Sequence, residues 1–113
     1  MAALLDGHGA PTAVLCHNDV MAIGALRAVR ASGRRVPEDM SVVGFDDIDL
    51  AAYAEPPLTT IAQDTRLLGR WAVETLVARV GVDAALGGGV PIASVRIPTR
   101  LVERQSTGWA PGD

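Results

Sequence analysis

The sequence predicts an α/β fold built around a parallel sheet, and three observations carry that reading. Two short apolar runs, AVLC at 13–16 and SVVGF at 41–45, are bounded by turn-forming residues, the pattern of buried strands. Between them Ala22, Ala25, Leu26 and Val29 fall at i, i+3, i+4 and i+7 and form one apolar helical stripe. Strand, helix and strand within about thirty residues make a βαβ unit, which implies parallel strands and a right-handed crossover.

The elements follow in order. Residues 1–12 read as a short helix tail, MAALLDG, and a Gly/Pro loop ending at Pro11-Thr12. After the first strand, Asn18 and Asp19 are both good N-cap residues, with Asp19 favoured for that role. Gly33 stands where a helix ends at C′, Arg27 and Arg30 suit the negative end of the dipole, and Val36-Pro37 prevents the helix from resuming. Residues 46–57 read as one long loop closed by Pro56-Pro57, and LTTIA at 58–62 as a third, β-branched strand. Asp64 or Thr65 caps a second helix over 65–80, with apolar positions Leu68, Trp71, Ala72, Thr75, Leu76 and Val80. GGG at 87–89 breaks the chain, ASVRIPTRLVER reads as one or two strands around Pro98, and the last residues read as a frayed tail.

Composition narrows the chemistry. With 113 residues, 49% of them apolar, the chain suffices for one small domain with one core. It has no apolar run long enough to span a membrane, and no secretory signal is expected at its N-terminus. The single cysteine, Cys16, excludes an internal disulfide and fits a reducing compartment. The net charge is −3, and all ten basic residues are arginines, so no reaction that needs a lysine is available. Arg34-Arg35 is the only adjacent basic pair and reads as a solvated turn; no basic stripe with interleaved aromatics suggests direct nucleic-acid binding.

Ligands of open parallel sheets bind outside the carboxyl ends of the strands. Asn18 and Asp19 follow the first strand, and Asp46 and Asp47 follow the second, so all four should share one rim. A carboxamide that donates and accepts beside a carboxylate that accepts suits a hydroxyl-rich ligand. The alternative is that these residues only cap a helix and end a strand. Enzyme readings fit less well. A receiver-type phosphoacceptor and a haloacid-dehalogenase-type phosphatase both need a lysine, and Leu50 stands where the phosphatase motif at Asp47-Ile48-Asp49 would continue with Thr or Val. A divalent-metal site could draw on Asp46, Asp47 and Asp49, but adjacent acids alternate sides and no fourth ligand is evident. His17 reads as a rim contact or a packed histidine, since no Ser or Cys sits at a nucleophile elbow.

Read together, Pro11-Thr12-Ala13, Asn18-Asp19 with Met21-Ala22, Gly24-Ala25, Gly33, Val36-Pro37, SVVGFDD at 41–47, PLTTI at 57–61, Gln63, Gly69 and Arg104–Thr107 resemble the effector-binding core of LacI/GalR-family transcriptional regulators. The resemblance covers nearly the whole chain. It implies part of a type I periplasmic-binding-protein-like fold, two α/β subdomains joined by a hinge, with a sugar or nucleoside-like effector in the cleft. On that pattern residues 1–63 are the second half of the C-terminal subdomain. Residues 64–91 are the hinge crossing and a helix of the N-terminal subdomain, 92–107 the return strands, and 108–113 a tail. Asn18 and Asp46 are the implied ligand contacts, with His17, Thr65 and Leu68 beside the cleft. Gln63 and Asp64 are the implied hinge, and Ile23, Arg27 and Tyr53 an implied dimer interface. His17 departs from the small residue more usual in the family, so effector identity does not carry over. No cofactor, metal ligand or catalytic residue is implied. The implied protein is a cytoplasmic homodimer that meets operator DNA only through a helix-turn-helix, absent from this chain. A sugar-binding protein of a transport system shares the fold and is the alternative.

Overall fold

The computed structural model describes Leu5, residues 11–80 and residues 94–110. The break expected at 87–89, most of the N-terminal helix tail and the start of the Gly/Pro loop after it lie outside these residues. The chain divides into two units, one formed by residues 1–62 with 100–113 and the other by residues 63–99.

In the first unit, β1 (Ala13–Leu15) leads into α1 (Asp19–Ala31), then β2 (Ser41–Val43), the short α2 (Asp49–Tyr53), β3 (Thr60–Ala62) and β4 (Arg100–Val102). β1 and β2 pair in parallel, with Val14 opposite Val42, as a βαβ unit requires. β2 hands over to β3 through parallel bridges Val43–Thr59 and Asp46–Ala62, carried by Gly44 N–H to Thr59 O and Asp46 N–H to Ile61 O, each 2.9 Å. β4 closes the edge antiparallel to β3, with Ile61 opposite Leu101. The order is therefore β1-β2-β3-β4.

Each strand is shorter than its apolar run suggested. The runs end in single rungs rather than continuous ladders: Cys16 N–H still reaches Val43 O at 2.8 Å, though Cys16 lies past the end of β1. The long loop at 46–57 also holds an unexpected helix, α2. It has five residues and no side-chain cap at Ile48, so it lacks the capping and periodicity that betray a helix in sequence.

α1 is held as its sequence directs, with one exchange of roles. Asn18, not Asp19, is the N-cap: its Oδ1 accepts from Met21 N–H at 2.9 Å. Asp19 lies one residue further in and is wholly buried. At the other end Gly33 takes φ +80°; its N–H reaches Arg30 O and the Arg34 N–H reaches Val29 O, the paired bonds of a Schellman stop that a glycine at C′ permits. The predicted stripe is buried: Ala22, Ala25 and Leu26 pack with Val42, Ala51 and Leu58 in one cluster, and Val29 packs with Leu5 and Met40 in a second. Arg35 forks onto Asp39 at 2.8 and 3.0 Å. Those bonds hold the Asp39 carboxyl down at about 2 and make the arginine pair part of a turn.

The expected tail is anchored at its start. Gly108 N–H donates to Ser41 Oγ at 3.1 Å, and Thr107 Oγ1 lies 2.9 Å from Thr59 Oγ1. Trp109 beyond them is 97% exposed.

The second unit carries α3 (Thr65–Val80), the predicted helix with the predicted bounds. Asp64 caps it by accepting from Leu67 N–H at 2.8 Å. None of its residues is buried, and Val73, Leu76, Val77 and Val80 are each at least 60% exposed.

Candidate functional site

The rim at the carboxyl ends of β1 and β2 forms because two backbone rungs outlast the strands. Cys16 N–H bonds Val43 O, and Asp19 N–H bonds Phe45 O at 2.9 Å. Residues 17–19 therefore stand against residues 45–47, at the N-terminus of α1. His17 is exposed and Asn18 half-buried. The cap uses the carboxamide oxygen of Asn18, so its donor side is what it offers a ligand.

The acids of this rim do different work. Asp19 accepts Ile48 N–H on Oδ2 at 2.9 Å and the Thr60 hydroxyl on Oδ1, tying α1 to the following loop and to β3. Asp47 accepts from Arg104 Nη2 at 2.7 Å, with Arg100 Nη2 at 3.9 Å. Arg104 is itself fixed, donating to Leu58 O at 2.8 Å. Asp49 is exposed in the first turn of α2. Asp47 and Asp49, two of the acids open to a metal reading, thus have different surroundings. Among the described residues no group of three or more His, Cys, Asp and Glu is placed to hold an ion.

Asp46 is set apart by its backbone. It has φ +113° and Asp47 has φ +56°, two consecutive non-glycine residues in a region L side chains rarely adopt. Each such residue costs about 1–3 kcal/mol and persists only where its surroundings over-determine it. The bond from Asp46 N–H to Ile61 O is one such restraint. Burial pushes the Cys16 thiol above its ordinary range, so it stays protonated at neutral pH and is a poor nucleophile.

The remaining predicted positions fall on other surfaces. Ile23 and Arg27 are one turn apart on α1, and the Arg30–Glu55 ion pair at 3.4 Å places that helix beside the segment that follows Tyr53. Tyr53 is 84% exposed and borders an open depression of about 430 Å³ with Asp47, Asp49 and Arg104. In the second unit Gln63, Asp64 and Leu68 line a hollow of about 190 Å³ with Val95, Ile97 and Thr99, and Thr65 is exposed at the start of α3. Sequence reasoning missed Asp19 as a brace and Arg104 as the partner of Asp47; the latter two stand 57 residues apart, and no local signal joins them.

The family described as periplasmic-binding-protein-like domain matches residues 1–107. The chain belongs to that family. Its curated relatives are regulators of the LacI/GalR type. The HTH-type transcriptional repressor CytR of Escherichia coli K12 is 45% identical over 111 residues, 98% of this chain and 31% of that protein. Two solved structures agree. The Lac repressor dimer bound to operator and the anti-inducer ONPF has a TM-score of 0.74 at 43% identity, covering 94% of this chain and 35% of the repressor chain. A LacI family transcriptional regulator from Arthrobacter sp. FB24 in complex with lactose has a TM-score of 0.75 at 42% identity, covering 95% of this chain and 38% of its own. The periplasmic-binding-protein-like chain thus spans about a third of the length of these relatives.

Proposed function

We propose that this chain is a segment of a LacI/GalR-type transcriptional regulator, forming one wall of a cleft for a small sugar-like or nucleoside-like effector. The observation that carries the reading is the rim: the paired ends of β1 and β2 set His17 and Asn18 against Asp46 beside a helix N-terminus. A carboxamide and a carboxylate carried on these two neighbouring segments would suit vicinal hydroxyls, and a relative of this chain is solved with lactose. Thr65 and Leu68 would add contacts from the second subdomain, with Gln63 and Asp64 as the hinge. Ile23, Arg27 and Tyr53 would face a second copy.

Function would then follow from linkage. Effector binds one hinge arrangement better than the other, and that difference is transmitted to the dimer's affinity for operator. The setting is cytoplasmic, and the role is binding rather than catalysis, since Asp19 and Asp47 are committed to the protein's own bonds. Relatives that are repressors favour this reading over a transport-system binding protein.

Asp46→Ala in an intact regulator carrying this chain tests it. A hydrogen bond to a charged group contributes about 1.5–3 kcal/mol, so the effector concentration needed for operator release should rise roughly 10- to 100-fold. Operator affinity without effector should stay the same in a gel-shift titration. An unchanged effector response would remove Asp46 from the site.

A further inference from the structure

Asp19 holds the loop that carries Asp46 from both sides. Its backbone N–H bonds Phe45 O at 2.9 Å, one residue before Asp46. Its carboxylate accepts Ile48 N–H at 2.9 Å, one residue after Asp47. The span between those two grips is the pair with φ +113° and +56°. Asp19 is wholly buried, and its second oxygen takes the hydroxyl of Thr60, also wholly buried, which fixes the plane of the carboxylate. Gly44 makes the room: a Cβ there would strike Asp19 Oδ1.

Residues in such backbone regions need an outside agent to hold them, and a buried acceptor has no solvent to replace a lost partner. We infer that Asp19 is a positioning residue for the effector site, which clamps residues 45 and 48 so that Asp46 is held in its left-handed conformation. This rests on the reading of Asp46 as an effector contact. It assigns Asp19 no contact with effector.

The chemistry predicts which substitutions are tolerated. Asp19→Asn keeps an oxygen for Ile48 N–H, and its NH₂ can donate to Thr60 Oγ1, because a hydroxyl accepts as well as donates. Asp19→Ala keeps neither bond. The readout is NMR of the isotopically labelled chain, in which positive φ gives strong intraresidue amide–Hα cross-peaks at Asp46 and Asp47. Asp19→Ala should lose these at a temperature where the chain remains folded, and Asp19→Asn should retain them. A residue with a merely stabilising role would lower the melting temperature and leave both cross-peaks intact, which would overturn the inference. Loss of the cross-peaks in Asp19→Asn as well would also overturn it.

If Asp19→Ala does not fold, Thr60 decides. Thr60→Val, which removes the orienting hydroxyl, should weaken the cross-peaks, and Thr60→Ser should restore them. An unchanged Thr60→Val, or a Thr60→Ser that fails to restore them, would overturn the assignment. These outcomes concern the loop alone, whereas the effector response of Asp46→Ala concerns the functional reading, so the two can fail separately.

Discussion

At the scale of single residues, the rim depends on a glycine as much as on its acids. Gly44 is buried, and a Cβ at that position would meet Asp19 Oδ1 and come within 2.9 Å of Leu58 Cδ2. Both neighbours are packed, so neither can withdraw without cost. Gly44→Ala should destabilise the chain by about 1–3 kcal/mol, the range for overpacking a core. Each kcal/mol lowers the melting temperature by roughly 4–8 °C in a domain of this size, which a thermal scan would register; an unchanged melting temperature would mean that the Asp19 cluster is looser than described. Much of this was beyond sequence reading. Sequence reading favours Asp19 over Asn18 as the cap, but both are good caps on chemistry and the backbone register decides for Asn18. Asn18 has the extended φ of −152° that an N-cap takes, whereas Asp19 is already helical and spends its carboxylate on Ile48 and Thr60, which are 29 and 41 residues away.

At the scale of elements, the closing segment is as structural as any strand. Ser106 is wholly buried between β2 and the residues entering β3. Its hydroxyl donates to Val42 O at 2.6 Å and accepts from Thr59 N–H at 2.8 Å, while its carbonyl takes Val42 N–H. It thus bridges the gap where the two parallel strands are joined only by single rungs. Ser106→Ala would leave two buried backbone groups without this partner, at about 1–3 kcal/mol for such a group, and denaturant unfolding should show a lowered midpoint with the same slope. A midpoint equal to the parent's would contradict that role. The βαβ unit, the apolar stripe of α1, the glycine stop and the bounds of α3 were all legible, because periodicity and caps are local signals. α2 and the antiparallel sense of β4 were not. The first is too short to show a period, and the second depends on where the chain returns to the sheet.

At the scale of the whole molecule, the two units are unequal in what they bury. The first has two buried clusters, whereas α3 buries none of its residues and shows Leu76, Val77 and Val80 more than 60% exposed. A contiguous apolar surface of that kind favours association. The chain should therefore run as a dimer or larger species in size-exclusion chromatography. A stable monomer would show that this exposed face does not drive association. The family was legible from an ordered set of short motifs. The division of labour among its acids was not, because Asp47 finds Arg104 only in the folded sheet. The most direct test of the central claim is a crystal structure of an intact regulator carrying this chain with its effector bound. Asn18 and Asp46 should lie within about 2.7–3.2 Å of effector hydroxyls, with Asp19 and Asp47 still on Ile48 and Arg104. An effector seated away from Asn18 and Asp46 would contradict it.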